Sequence, residues 1–313
     1  MRRGLNRGSK NEVVPGVLCN VRELFTLIMP RFFLVFTLGL IASFSLPLYQ
    51  LIHLAMGTDL YSHVLIIPFI SVYLIWLRRT DLPAPSVPNR LLALVPLFMG
   101  LIALGVSWVT VDVGSSLTQE DILSGEIFAF VMFFLTGAIF FLGRNTIKTF
   151  VFPFVFLLFI VPLPSFLRIG IETFFQYASA DVSYLFLKLS GTPIFRECLI
   201  FRLPGIDLEV APECSGIRSS LVLFIVSLVA SNLFLRSIWR RVLLVLFIIP
   251  LAVLRNSLRI FVIAQLCVQV GPEMIDSPLH KSGGPVFFAL SLIPLFFLLF
   301  FLVKSEQKRS VTD

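Results

Sequence analysis

The sequence predicts an all-α polytopic membrane protein: about eight transmembrane helices, an amphipathic helix on the outer face and one short β-hairpin. Three observations carry this. Of 313 residues, 57% are hydrophobic and only 14% charged, whereas a soluble domain is about a quarter charged. A water-soluble globule of this size has no core for 34 Phe, and the same figures exclude disorder. The apolar residues come in long uninterrupted runs, which selects helices over a barrel. The basic excess of +7 sits in alternate loops, which orients membrane helices and does not point to nucleic acid.

A spanning helix needs about 20 apolar residues. Runs of that kind lie at 32–56, 63–77, 91–110, 127–142, 147–167, 215–235, 242–268 and 285–303; the run 63–77 is short and is extended by its flanks. Arg2, Arg3, Arg7, Lys10, Arg22 and Arg31 precede the first run. Arg78, Arg79 and Arg90 follow the second, Arg144 and Lys148 the fourth, Arg236, Arg240 and Arg241 the sixth, and Lys304, Lys308 and Arg309 the last. The intervening loops hold Asp59, then Asp112, Glu120, Asp121 and Glu126, then Glu273 and Asp276. This alternation predicts a multi-pass plasma-membrane protein with both termini cytoplasmic. It divides the chain into a basic segment 1–31, a single membrane domain 32–303 and a tail 304–313.

Residues 168–190 test the count. Glu172, Gln176, Ser179 and Ser183 fall on one polar stripe, with Ile171, Phe175, Val182, Leu185 and Leu189 on the other side. That is an interfacial or groove-lining helix; a ninth span would put the basic 236–241 loop outside. Residues 198–203 and 206–210 flank Pro204-Gly205 and read as a hairpin that delivers the chain to Cys214. No internal repeat and no cleavable signal is evident, and the Pro-rich 80–89 stretch is a linker.

The four cysteines (Cys19, Cys198, Cys214, Cys267) and three histidines (His53, His63, His280) make no zinc spacing and no metal cluster. Cys214 stands in APECSGIRSS, where the hairpin turns into a helix. A thiol at a helix N-terminus meets free N–H groups that favour thiolate. Arg218, one turn on, adds positive charge, and Glu213 opposes it unless paired with an arginine. The alternatives are an inert buried cysteine or a disulfide to Cys198.

Arg255, Asn256 and Arg259 lie inside an apolar run. Starting from Val242, the two arginines are about 20 and 26 Å from the cytoplasmic end, on one helix face. Ionisable groups at such depth are functional candidates, or they snorkel to headgroups or pair with a carboxylate. His280 is in the outer loop before the last run, and its imidazole can take a thiol proton and return it to a leaving amine. Asp59, Tyr61 and His63 form an outer rim where His63 is a second base or part of a headgroup-level belt. Arg202, Asp207 and Glu209 on the hairpin hold a peptide or pair with each other.

APECSGIRSS, RSIWRR, LRNSLRI and LHKSGG, with DLYSHVLIIP earlier, resemble the exosortase/archaeosortase family over roughly residues 57–290. The resemblance implies a polytopic cysteine protease or transpeptidase. Such enzymes act on exported proteins that end in a short motif such as Pro-Glu-Pro, a membrane helix and a basic tail. It implies Cys214 as the nucleophile that forms an acyl-thioester, Arg259 as the family's arginine and His280 as the third member. Archaeal relatives place the arginine directly before the Asn, at Arg255 here; this chain has both. Glu213, Arg218, Asn256 and His63 would line the substrate. The implied substrate helix arrives laterally from the lipid bilayer, so the scissile bond sits at the outer face. No metal, nucleotide or other cofactor is called for. The competing expectation is a transporter, or a scaffold for envelope polysaccharide assembly, that uses its intramembrane arginines to bind anions.

Overall fold

The structure, a computed structural model, describes residues 31–81, 90–112, 118–277 and 284–312. In chain order the helices are α1 (Arg31–Ser43), α2 (Ser45–Gly57), α3 (Ile67–Leu77), α4 (Arg90–Asp112), α5 (Gln119–Thr149), α6 (Val151–Phe156) and α7 (Ser165–Leu189). After a small sheet come α8 (Ile217–Phe234), α9 (Ile238–Leu246), α10 (Ile248–Gln269) and α11 (Gly284–Thr312). Among the described residues six helices are long and apolar enough to cross a membrane, and two bent pairs raise the number to as many as eight. The all-α polytopic class is therefore what the residues form.

Prolines account for both bent pairs. Residues 32–56, expected as one span, bend by 71° between α1 and α2. Pro47 has no N–H for the Ser43 carbonyl, and its ring crowds that carbonyl. Residues 147–167 are likewise not one straight span: the helical path from Val151 ends at Ile160 and resumes at Ser165. Pro162 and Pro164 force the residues before them out of the helical region. The fourth span starts at Gln119 rather than 127. Thr118 and Asp121 form a capping box there, Thr118 Oγ1 accepting from Asp121 N and Asp121 Oδ2 accepting from Thr118 N. Glu120, Asp121 and Glu126 are thus helical and not in a loop.

The chain divides into two compact units. The first holds residues 67–161 and the chain up to Ile52. Its interior is aromatic. Phe33 stacks obliquely on Phe134 with ring centroids 5.5 Å apart, Phe44 meets Phe130 at 5.7 Å and Phe134 meets Phe154 at 6.3 Å. Fully buried Ala129 and Ala138 lie between the rings. Near the end of α3, Tyr73 stacks on Trp76, and Arg79 sits 4.6 Å above the Trp76 ring. Amphipathic rings of this kind sit at membrane boundaries.

The second unit holds 53–66 and 162–313. Its sheet has three antiparallel strands in the order β1 (Phe195–Glu197), β2 (Ile200–Leu203), β3 (Ile206–Glu209). The expected hairpin is β2–β3, in register Leu203↔Ile206 across Pro204-Gly205. Strand β1 was not expected. It is joined by a two-residue turn in which Cys198 takes φ 52. Cys198 is a free, exposed thiol, so no disulfide joins it to Cys214.

Helix α7 carries the expected polar stripe, but turned inward. Gln176 Nε2 donates to Val210 O (3.0 Å), Ser183 Oγ to Ser257 O (3.3 Å) and Ser257 Oγ to Ser179 O (3.1 Å). Glu172 is taken up by Arg168 at 3.3 Å. Leu185 and Leu189 are exposed instead. In lipid this is the favourable sense, since polar groups there find partners only in protein. The basic residues 240 and 241 lie on α9, and α11 continues through the expected tail to Thr312. Glu306 of α11 accepts from Arg236 N (3.0 Å) and Ser237 N (2.8 Å) and pairs with Arg240 at 3.2 Å. It thereby takes up the N-cap donor of α9 and the one before it, and places a negative charge at that helix's N-terminus.

Candidate active site

Strand β3 leads through Val210 into a single 3-10 turn, Pro212–Ser215, and then to Gly216 and α8. Cys214 was expected at the N-terminus of a long helix. Its backbone belongs instead to the preceding turn, and Gly216 is the N-cap of α8. Gly216 adopts φ 72, ψ 15, the left-handed conformation that glycine takes at no steric cost. Ser215 is buried, and its Oγ accepts from Ile217 N at 3.4 Å, satisfying one of the helix's free donors.

The Gly216 carbonyl is the meeting point of the site. It accepts from Ser220 N (3.0 Å), Ser220 Oγ (2.8 Å) and Ser219 Oγ (3.1 Å) on its own helix. From α10 it accepts Arg255 Nη2 at 3.1 Å, and the same nitrogen reaches Ser220 Oγ at 3.2 Å. Asn256 packs beside Arg255 against this glycine. A Cβ at position 216 would stand 3.0 Å from Arg255 Nη2 and 3.1 Å from Asn256 Oδ1. Glycine is therefore favoured twice, by its φ and by this close approach, where a Cβ would push Arg255 and Asn256 back by a few tenths of an ångström. Arg255 and Asn256 are 6% and 2% exposed, so two polar side chains of a membrane helix are held against the peptide that follows Cys214.

No carboxylate among the described residues pairs with Arg255. Its Nη1 is buried and makes no hydrogen bond. A buried guanidinium with an unused donor is costly in a span unless another acceptor completes it. Planar, fixed N–H groups of this kind can stabilise an oxyanion. Arg259 lies one turn further along α10 and is half-buried.

The other expected site residues fall elsewhere or outside the described parts. Arg218 does not add free positive charge beside the thiol: its Nη1 pairs with Asp59 Oδ2 at 2.6 Å, and both side chains are exposed. That pair joins α8 to the 3-10 turn Asp59–Leu65, which carries the rim. Within that turn, Tyr61 is buried and its OH donates to Leu163 O at 3.4 Å. His63 Nδ1 donates to Leu60 O at 3.0 Å. On the sheet Arg202 pairs with Glu197 at 2.6 Å, the residue that opens the turn missed in the sequence. His280 lies outside the described residues, as do the side chains of Glu213 and Cys214. Sequence reasoning missed Ser220, the second acceptor for Arg255. The available signal was Ser219-Ser220, spaced three and four residues after the glycine so that both hydroxyls fold back on its carbonyl.

The family model described as Transmembrane exosortase (Exosortase_EpsH) matches residues 54–297. The match takes in the rim, the sheet, Cys214, Gly216, both arginines and His280. No curated protein and no solved structure matches the chain. The matched stretch is most of the chain and includes the helices that meet at Gly216, so this multi-pass membrane protein belongs to the transmembrane exosortase family.

Proposed function

We propose that the chain is a membrane-embedded cysteine protease or transpeptidase that removes the C-terminal sorting signal of exported proteins. Cys214 is its nucleophile. The observation that carries the reading is the Arg255 guanidinium bonded to the carbonyl of Gly216, two residues after the cysteine, with one buried nitrogen unused.

In this mechanism the Cys214 thiolate attacks the scissile carbonyl carbon, and the carbonyl oxygen gains the negative charge. Arg255 is favoured over Arg259 as the group that stabilises this charge, because its hydrogen bonds tie it to the Cys214 segment. The C–N bond then breaks, and the leaving nitrogen takes the proton that His280 received from the thiol. The product is a thioester on Cys214. An amine or water attacks it, transfers a proton to His280 and releases the thiolate. Asn256, packed on Gly216, together with Glu213, Arg218 and His63, would border the substrate peptide. The alternation of basic and acidic loops supports cytoplasmic termini, a membrane domain over 32–303 and a site at the outer face.

The test is co-expression of the wild type or Cys214→Ala with a tagged protein ending in Pro-Glu-Pro, a membrane helix and an arginine-rich tail. Loss of the tail with the wild type alone is the expected result. The mass of the new C-terminus then separates water from an attached acceptor. Equal processing by both proteins removes Cys214 as nucleophile. No processing by either shifts the balance to a scaffold for envelope assembly.

A further inference from the structure

The segment that carries Cys214 is held at both ends by side chains of other helices. After the cysteine, the Gly216 carbonyl accepts from Arg255 of α10. Before it, the Val210 carbonyl accepts from Gln176 Nε2 of α7 at 3.0 Å. Cys214 lies four residues after the first held carbonyl and two before the second. Val210 is 1% exposed, and its own N–H donates to Leu199 O at 2.9 Å. One side of this residue therefore closes the sheet, and the other opens the turn.

Gln176 does more here than occupy volume. It is 7% exposed, and an amide in such a place is less favourable than an apolar side chain unless its polar atoms are used. The need for it comes from the strand end. Pairing of β3 stops at Glu209, opposite Ile200, and Pro212 has no N–H to offer two residues later. The Val210 carbonyl thus has no ladder partner, and a buried carbonyl has to find one elsewhere.

The two holding groups are coupled. Ser257 Oγ donates to Ser179 O at 3.1 Å and Ser183 Oγ to Ser257 O at 3.3 Å, which fixes α7 against α10. Gln176 is three residues from Ser179, and Arg255 is two from Ser257. Each therefore leaves its helix within one turn of the serine contact. Helix α7 also packs directly on the turn Pro212–Ser215.

We propose that Gln176 is a positioning residue for the reaction proposed above. The proposal rests on that reading, in which Cys214 is the nucleophile, and adds the group that fixes the entry of the turn bearing it. With both carbonyls held, the backbone at Cys214 has one place relative to Arg255. With Val210 released, the turn pivots about Gly216. Attack then suffers more than substrate recognition, because misplacing reacting atoms by about 1 Å costs up to about 10²-fold in rate.

The test uses the full chain, purified in detergent, with the tagged reporter as substrate. Gln176→Met keeps the length of the side chain and loses the donor; Gln176→Asn keeps an amide that is one carbon too short. In both, kcat should fall about tenfold or more at nearly unchanged KM. Hydrogen-exchange mass spectrometry should show faster exchange within 211–216 and none in α8. Ser183→Ala removes a bond between α7 and α10 and touches neither held carbonyl. It should lower Tm and leave kcat near wild type. Wild-type kcat and exchange in Gln176→Met, or in Gln176→Asn if the Met variant does not fold, overturn the proposal. A loss of kcat in Ser183→Ala as large as that in the Gln176 variants also overturns it, because the effect would then be one of helix association alone. The two readings fail separately. A wild type that never cleaves the reporter counts against the protease, while exchange within 211–216 still decides whether Gln176 holds the segment.

Discussion

The two compact units solve the problem of burial inside a membrane in opposite ways. Among the described residues, three buried polar side chains belong to the first unit (Ser71, Ser107 and Ser124) and twelve to the second. The first unit is held by rings fitted between small residues, as at Phe33, Phe134 and Ala138. The second joins α7 to α10 through serines, α7 to the end of the sheet through Gln176, and α10 to α8 through Arg255 and Asn256. Apolar burial gives helices little reason to associate in lipid, so a unit that only needs to stay together does so by close packing. A unit that must hold a buried charge needs fixed donors and acceptors.

The sharpest way to break the comparison is to change the charged member of the second unit while keeping its charge. Arg255→Lys retains a cation but loses the planar guanidinium, whose Nη2 holds Gly216 O and Ser220 Oγ while Nη1 keeps a donor unused. Reporter processing should fall about 10²- to 10³-fold, with protein yield little changed. Arg259→Lys should cost less than about tenfold in the same initial-rate assay. A larger loss at 259 than at 255 would reverse the assignment of the two arginines.

Next come changes that separate stability from function. Phe134→Ala removes a ring that touches Phe33 and Phe154 and should destabilise the protein by about 3 kcal/mol, read by thermal or denaturant melting in detergent. Its activity per folded molecule should stay near wild type. Gly216→Ala should do the reverse. The φ of 72 and the 3.0 Å approach to Arg255 should lower processing about tenfold or more, with a smaller loss of stability. If both variants lose stability and activity in proportion, the division of labour between the units is wrong.

Ser257→Ala deletes the hydroxyl that bonds Ser179 O across α7 and α10. It should cost about 1 kcal/mol, because interhelical hydrogen bonds in membranes are modest. Arg218→Ala should matter least: its pair with Asp59 is exposed on both sides and is worth less than about 1 kcal/mol in a double-mutant cycle. Processing should change less than about threefold.

Much of this was legible in the sequence because the bilayer leaves few choices. Apolar run length located the spans, and Pro204-Gly205 located the hairpin. The bends were written in Pro47, Pro162 and Pro164, but counting apolar residues passes over them. The stripe on α7 had the right period, yet a period names a face without saying what it meets. Surroundings of lipid turned Gln176, Ser179 and Ser183 inward. Strand β1 is three residues long, and its turn is made by Cys198, a residue with no turn signature. That Arg255 is the arginine bonded to Gly216 was equally hidden, because Arg255 and Arg259 share one helix face in the sequence pattern.

The hydrogen bonds from Arg236 N and Ser237 N to Glu306 span 70 and 69 residues of chain. During synthesis, the start of the helix pair that bears both arginines is therefore made well before the carboxylate that completes it. Until Glu306 emerges, those backbone donors have water or lipid headgroups as partners. The start of α9 thus acquires its final hydrogen bonds only after the carboxyl end of α11 has been made. A ribosome-arrested chain ending before residue 306 should leave the amides at 236 and 237 open to rapid hydrogen exchange, and one long enough to expose Glu306 should protect them.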